Sequence, residues 1–264
     1  MTKLITQDQV DRQINTFATR SFRDMADGDY IAARMACRAG LMPQFLWSAQ
    51  QAFEKYLKYI LLVNRMPAKK VGHDIAEAFM LAQKLSHPPK LRPASRKFFN
   101  HVAIYGQRRY LDGCYFVEGF PLFELDMAVW ELRRYCQILD VLGKELPERE
   151  QVLLSDARAA LARSEQSPPQ YFRLHLGFLE SVLDDRNHPS RAPLIWKNGF
   201  FNRGRRRTVS RRHVMHFSNA PLSNFPDMLD ELLKYIQIPG RDEREWRKFL
   251  AGETRRKDDA SQVS

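Results

Sequence analysis

Cysteines and long apolar runs are scarce in this sequence, and each absence excludes a class of protein. The chain has three cysteines, Cys37, Cys114 and Cys136, whose wide spacing predicts neither a disulfide framework nor a zinc site. No apolar run approaches the ~18–20 residues that a membrane-spanning helix needs. The N-terminal residues lack the apolar centre of a signal peptide. We therefore expect a cytoplasmic protein without a membrane segment, and we predict no metal and no cofactor.

Acidic residues are missing from residues 186–226, where nine basic residues lie in a chain whose formal net charge is +11. Positive charge at this density is typical of a surface that binds polyanions, and arginine, which predominates there, favours phosphate groups. A solubilising surface loop is the alternative interpretation. The nine residues are Arg186, Arg191, Lys197, Arg203, Arg205, Arg206, Arg207, Arg211 and Arg212.

Apolar residues recur at three- and four-residue spacing through the first half of the chain, which is typical of amphipathic helices. Gly40 suits the end of the first of these helices, and Pro43 suits the first turn of the next one. The spacing predicts helices over residues 29–40, 43–63, 74–85, 94–105 and 121–144. Helices that are joined by loops of moderate length favour an up-and-down bundle.

After Leu146 the pattern changes, and it predicts shorter helices over residues 148–162, 171–183 and 227–236. Asn202 and Gly204 lie between two segments rich in β-branched and aromatic residues, which predicts a basic β-hairpin. We therefore expect a mainly α protein. Its expected parts are an N-terminal extension (1–21), a helical bundle (22–146), a linker with a short helix (147–168), a smaller C-terminal α+β module with the hairpin (169–240) and a charged tail (241–264).

Three short motifs follow one another in the first half of the chain. They are Ala33-Arg34, then Gln50-Gln51-x-x-Glu54-Lys55-x-x-Lys58, then His73-Asp74-Ile75. As an ordered set they resemble the HEPN domain (higher eukaryotes and prokaryotes nucleotide-binding) over about residues 22–142. The resemblance implies an HEPN-like helical bundle that frequently dimerises. It also implies a role in RNA cleavage, RNA binding or partnership with a nucleotidyltransferase, in prokaryotic defence or toxin systems.

The polar residues of these motifs have two interpretations, the edge of the bundle or the remnant of a site. Long polar side chains at a bundle edge cover apolar surface with their stems, and the resemblance implies that the set stabilises the fold. Asp74 is expected to cap the third helix, and His73 to pack across its start. The set is Gln50, Gln51, Glu54, Lys55, Lys58, His73 and Asp74.

One candidate catalytic pair comes from the resemblance. HEPN ribonucleases carry an arginine and a histidine separated by four to six residues near the start of a late helix, and Arg96 and His101 match this spacing. Lys97 departs from the small polar residue that the family prefers. The implied cleavage needs no metal: the RNA 2′-hydroxyl attacks the adjacent phosphate, His101 moves a proton and Arg96 stabilises charge. On a regular helix the pair would lie about 140° apart, so convergence needs a dimer cleft or a distorted turn. The alternative is a surface arginine and a bundle-edge histidine.

A second candidate site follows this helix. Arg108, Arg109 and Asp112 resemble a segment of the HEPN members that accompany nucleotidyltransferases, with Leu111 where that segment has proline. The resemblance implies that these residues bind a nucleotide or an RNA phosphate. A connecting loop in which Arg109 and Asp112 pair locally is the alternative.

Two classes of function are therefore compatible with the sequence. The first is a metal-independent ribonuclease, and the second is a non-catalytic module that binds nucleic acid or docks a partner such as a nucleotidyltransferase. RNA is the expected partner in both, together with a homodimer and a protein encoded nearby. We expect phosphate contacts from Arg203, Arg205, Arg206, Arg207, Arg211 and Arg212.

Overall fold

The computed structural model describes residues 6–69, 71–107, 113–141, 147–202, 211–238 and 240–261. The chain divides into two compact units. The first consists of Met1–Gln107 and Gly119–Val214, and the second of Arg108–Glu118 and Met215–Ser264.

The N-terminal part of the first unit is a helical bundle that contains the predicted helices and, before them, a helix over Gln7–Ala18 in the segment expected to be an N-terminal extension (1–21). Its helices are α1 (Gln7–Ala18), α2 (Asp24–Ala39), α3 (Met42–Val63), α4 (Ile75–Ala82), α5 (Pro93–Tyr105) and α6 (Pro121–Arg133), with a π-helical turn at Thr19–Arg23 between α1 and α2. Gly40 ends α2 with a φ of +78°, a left-handed conformation that glycine adopts without steric cost. Asp74 caps α4, because its carboxylate accepts hydrogen bonds from the backbone N–H groups of Ala76 (2.9 Å) and Glu77 (3.0 Å).

Helix α3 lies at the centre of the bundle and contacts each of the other five helices. Phe53, on this helix, is fully buried. Its ring centroid lies 5.2 Å from that of Phe99 and 6.3 Å from that of Phe98, both on α5. The three- and four-residue spacing of apolar residues that predicted this helix therefore also predicted which of its faces lies in the core.

Helix α6 ends at Arg133, well before the predicted end at residue 144. Side chains satisfy two of the backbone carbonyls that follow, in place of helical hydrogen bonds. The carbonyl of Arg134 accepts from the Gln137 amide (2.8 Å), and the carbonyl of Leu139 accepts from Arg158 Nε (2.7 Å). The spacing of apolar residues did not reveal these contacts.

Buried ion pairs join the rest of the first unit to the bundle. This part contains α7 (Glu148–Ser164), α8 (Phe178–Asp184) and α9 (Arg191–Ile195). Arg133, whose side chain is 2% exposed, donates to both carboxylate oxygens of Asp27 (2.7 and 2.8 Å) and to both of Glu180 (2.8 and 2.7 Å). Because Asp27 lies on α2 and Glu180 on α8, one guanidinium links three helices.

The second unit contains most of a small antiparallel sheet and two helices. The strands are β1 (Tyr115–Gly119) and β2 (Val214–Ser218), and the helices are α10 (Leu229–Leu232) and α11 (Gly240–Ser261). A cluster of Leu222, Leu229 and Ile238 forms its apolar core. The mainly α fold with a smaller α+β part is confirmed.

The predicted β-hairpin needs a correction. Its second arm does form a strand, β2, but this strand pairs with β1 and not with the segment before Asn202. That segment forms α9 and a turn instead. The Asn198 side-chain oxygen accepts from the backbone N–H groups of Phe200 and Phe201, both at 2.9 Å, so these donors are not available to a strand. Gly204 lies outside the described residues.

The charged segment from Arg241, which was expected to form a tail, is helical over α11. Trp246 and Leu250 pack against the apolar cluster of the second unit, which supports the helix from one side. Glu243 pairs with Arg247 one turn later at 2.9 Å. Among the residues that the structure describes, none of the helices has both the length and the apolarity to cross a bilayer.

Candidate nucleic-acid interface

The motif residues of α3 form a hydrogen-bonded network with the turn before α4. Gln50 and Glu54 are buried, so they do not lie at the bundle edge. The Gln50 amide donates to Glu54 Oε2 (3.2 Å) and to the backbone carbonyl of His73 (3.0 Å). Glu54 also accepts from Lys58 Nζ (2.7 Å) and lies 3.0 Å from His73 Nδ1. The network therefore fixes the start of α4 on α3.

The electrostatics of Glu54 support a structural role for this network. Burial raises the pKa of Glu54, but the hydrogen bonds from Lys58 and His73 outweigh this effect, so the pKa lies below its ordinary value. The carboxylate is consequently held ionised as an acceptor and is poorly suited to donate a proton. Of the remaining motif residues, Gln51 donates through its side-chain amide to Gln50 Oε1 (2.7 Å), and Lys55 pairs with Asp29 of α2.

Arg96 and His101 both lie on α5, but they contact different neighbours. The Arg96 guanidinium stacks over the ring of Phe79, 4.2 Å from its centroid. The His101 ring lies 4.7 Å from the ring of Tyr105, one turn further along the helix. Because α5 is α-helical over its whole length, a distorted turn does not bring the pair together. A second copy of the chain is then the route by which the two side chains could converge.

Several predicted binding residues fall on parts of the chain outside the described residues. They are Arg108, Arg109, Asp112, Arg203, Arg205, Arg206 and Arg207. Arg211 and Arg212, the last two of the basic segment, are described and exposed.

Arg211 and Arg212 line a cleft in the first unit. The cleft brings together the end of α2, the start of α6, the turn after α9 and the residues just before β2. We call it the basic cleft. Its lining contains four cations, three aromatic rings and no acidic residue: Cys37, Arg38, Phe120, Pro121, Leu122, Phe123, Trp196, Lys197, Arg211, Arg212 and Val214.

Aromatic rings hold three of the four cations in place. Arg38 lies 4.8 Å and Lys197 Nζ 5.2 Å from the ring centroid of Trp196, and Arg211 lies 3.8 Å from that of Phe123. Within the described part of the chain, none of the four cleft cations forms an ion pair with a carboxylate. Their N–H groups are therefore available to an anionic ligand.

Buried side chains fix the turn that carries Trp196 and Lys197. Arg34 of the Ala33-Arg34 motif is 1% exposed, pairs with Asp126 of α6, and donates to the backbone carbonyls of Trp196 and of Pro193 (3.1 Å). Lys197 has a φ of +51°, which is uncommon for a residue with a side chain. We attribute this conformation to the contacts of Arg34 with the carbonyls of Pro193 and Trp196, which hold the turn.

Cys37 lies in the lining but is not an activated nucleophile. Burial and, to a lesser extent, nearby Asp126 raise the pKa of its thiol, whereas Arg34 and Arg212 lower it, and the net result is a pKa of about 11. The thiol is therefore protonated at neutral pH, and a protonated thiol is a weak nucleophile. The chemistry that the cleft offers is anion binding next to aromatic surface.

The sequence indicated only part of this cleft. Lys197, Arg211 and Arg212 belong to the basic segment that was expected to contact phosphates. Arg38 and Phe120 were missed, because they lie on other elements that only the tertiary fold brings near the basic segment. A usable signal was the position of Arg38 beside the helix-ending Gly40, since a helix end often carries a cation.

Comparison with known families agrees with the motifs of α2, α3 and α4. Residues 19–121 match the family model described as the HEPN domain. The predicted resemblance is confirmed for this segment. The HEPN match covers less than half of the chain and ends at the first residue of α6. No curated protein and no solved structure matches the sequence. The HEPN domain supports a function associated with nucleotides or RNA in general terms.

Proposed function

We propose that this protein binds RNA through the basic cleft. The observation that carries the proposal is the set of four cations with no acidic residue in the lining and no ion pair within the described residues. Cations that already have carboxylate partners would have to exchange them for phosphates, whereas these do not. The contrast with Arg133, which is buried between two carboxylates, distinguishes a binding cation from a structural one.

The residues of the basic segment that lie outside the described range are proposed to extend this surface. Phosphate contacts made by many cations add to the affinity without reading the base sequence. We include Arg203, Arg205, Arg206 and Arg207 in this extension because they lie four to eight residues before Arg211 in the chain. Arg108, Arg109 and Asp112 stay a separate proposal for a nucleotide or phosphate contact, which rests on the resemblance alone.

Binding is favoured over catalysis. Arg96 is engaged with Phe79, and His101 lies at a different angle on the same regular helix. Metal-independent cleavage by this pair is the second candidate, and it would need a homodimer that brings Arg96 of one copy near His101 of the other. If this candidate is right, the protein cuts RNA in the presence of EDTA and His101→Ala abolishes cutting while the fold survives. Full activity of the His101→Ala variant would remove this mechanism.

A defence or toxin role and a partner encoded nearby are further proposals from the resemblance.

The binding experiment compares two variants that each lose three positive charges. The cleft variant combines Arg38→Gln, Arg211→Gln and Arg212→Gln. Its affinity for a short single-stranded RNA, measured by fluorescence anisotropy, should fall about 10- to 100-fold, because each exposed ion contact contributes roughly 0.5–1 kcal/mol.

The matched control, the surface variant, combines Arg12→Gln, Lys90→Gln and Arg173→Gln, whose side chains are 77%, 71% and 47% exposed outside the cleft. Its net charge equals that of the cleft variant, so a general charge effect would weaken both equally. Equal affinities of the two variants would contradict the proposal. Unchanged circular dichroism spectra of both would show that the comparison concerns binding and not folding.

A further inference from the structure

The aromatic residues of the basic cleft call for an explanation of their own. Phosphate contacts need cations but no rings, so a surface that recognised only the backbone would not require aromatic residues. Phe200 and Phe201, close by in the sequence, are 8% and 7% exposed and belong to the core. Phe120 is 36% exposed, and Trp196 is only half-buried. Core packing therefore explains the first two rings better than the last two.

Aromatic and guanidinium planes that remain open to solvent are surfaces on which nucleobases stack. Arg211 lies 3.8 Å from the Phe123 ring centroid while the residue as a whole stays exposed. The guanidinium can thus hold a phosphate at its edge or a base on its outer face. Phe120, whose ring centroid is 6.0 Å from the Arg211 guanidinium, extends the same aromatic surface.

A base can reach such a surface only when it is unpaired. In an RNA duplex the bases stack on each other, and side chains meet mainly phosphates and 2′-hydroxyl groups. In a single strand each nucleotide presents both a phosphate and a base face. The mixture of cations and half-exposed rings in one cleft matches the single strand.

Buried hydrogen bonds hold the backbone of this surface. Arg34 holds the carbonyl of Trp196, and the Asn198 amide donates to the hydroxyl of Tyr30 (2.9 Å) and to the carbonyl of Leu194 (2.9 Å). A ligand that stacks on Trp196 therefore orders little additional backbone when it binds, which lowers the entropic cost of association.

We propose that the basic cleft selects single-stranded RNA by stacking at least one unpaired base against Trp196 and Phe120 while Arg38, Arg211 and Arg212 hold the adjoining phosphates. This inference rests on the proposed RNA binding and adds the class of RNA and the residues that distinguish it. It separates the lining into a phosphate-binding set and a base-binding set, which different substitutions probe.

The test uses two probes with equal numbers of phosphates. One is a single-stranded RNA, and the other is a strand of the same length that has abasic residues in place of nucleotides. The wild-type protein should bind the ordinary strand about 5- to 100-fold more tightly, because stacking contributes roughly 1–3 kcal/mol per base. The double variant Trp196→Leu/Phe120→Leu should lose most of this preference but keep the salt dependence of binding.

Two further variants guard against misinterpretation. Trp196→Phe keeps a ring and should therefore retain part of the preference for the ordinary strand. If the loss came from a general packing defect at this position, an aromatic replacement would retain no more of the preference than leucine does. Tyr171→Leu removes a ring that is 69% exposed outside the cleft, and it should change nothing. Melting curves identify any variant that fails to fold.

The two proposals fail in different ways. Equal affinity of the wild type for both probes, or an unchanged preference in the Trp196→Leu/Phe120→Leu variant, would overturn base stacking and leave phosphate binding intact. A cleft variant that binds the abasic strand as tightly as the surface variant does would instead overturn RNA binding at this cleft.

Discussion

Removal of the Arg133 side-chain charge should destabilise the first unit more than any substitution of a surface arginine. Arg133→Met keeps a long apolar stem but leaves Asp27 and Glu180, which are 0% and 8% exposed, without their cation. Breaking a buried ion pair costs about 3–5 kcal/mol because the remaining charge is neither solvated nor paired. Two carboxylates remain here, so we expect the upper end of this range.

A loss of about 5 kcal/mol is comparable with the total stability of many proteins, which is about 5–15 kcal/mol. At roughly 2–4 °C per kcal/mol for a unit of this size, the melting temperature should fall by about 10–20 °C. The matched control is Arg173→Met, whose salt bridge with Asp184 (2.6 Å) is about half-exposed on both sides. This control should cost at most about 1 kcal/mol.

The pH dependence gives a second readout. In the wild type, burial raises the pKa of Glu180, but Arg133 outweighs this effect and the pKa is lowered. Without Arg133, burial is opposed only by backbone hydrogen bonds such as that from the N–H of Leu174. Protonation then relieves the buried charge, so the deficit of the variant should shrink as the pH falls. Adding Asp27→Asn and Glu180→Gln to Arg133→Met should recover part of the lost stability at neutral pH. An Arg133→Met variant that melts within a few degrees of Arg173→Met would refute the reasoning.

Three other predictions concern the first unit. Gly177→Ala should destabilise it by several kcal/mol, because a Cβ there would lie 1.9 Å from Glu180 Oε2. Gly28→Ala, whose Cβ would meet no atom within 4 Å, should stabilise α2 by about 0.5–1 kcal/mol. The melting temperature should therefore fall in the first variant and rise in the second. Glu54→Gln should lower the stability at neutral pH. Because the pKa of Glu54 is lowered, its carboxylate contributes stability that is lost as the pH falls, so the difference between the variant and the wild type should shrink at a pH below the ordinary pKa of a glutamate. A difference that does not depend on pH would exclude the charged network. Phe53→Asp should unfold the bundle, because an unpaired buried charge costs several kcal/mol; a helical variant with unchanged melting would refute the placement of α3.

Local patterns predicted the helical bundle well because its helices are determined by nearby residues. Apolar spacing, Gly40 and the Asp74 cap act within one or two turns, and the observed bounds of α3 and α5 lie within a residue of the predicted ones. The pairing of β1 with β2 joins segments that lie about 100 residues apart, so a local pattern favoured a hairpin instead. The same limit hid the contact between Asp27 and Arg133, which are separated by 106 positions.

The basic cleft was predictable in its charge but not in its shape. The run of basic residues identified Arg211 and Arg212, since their density is visible without a structure. Which cations remain unpaired depends on where carboxylates lie in three dimensions. Arg34 and Arg38 are one helical turn apart on α2, yet one is buried against Asp126 and the other faces the cleft.

The salt dependence of RNA binding tests the central claim most directly. For single strands, the logarithm of the binding constant falls with the logarithm of the salt concentration by about 0.7 per phosphate contact. The cleft variant, which lacks the charges of Arg38, Arg211 and Arg212, should therefore show a slope that is smaller by about 2 than the wild-type slope. The surface variant should keep the wild-type slope. Identical slopes for the wild type and the cleft variant would contradict the account, because they would mean that the cleft cations contact no phosphate.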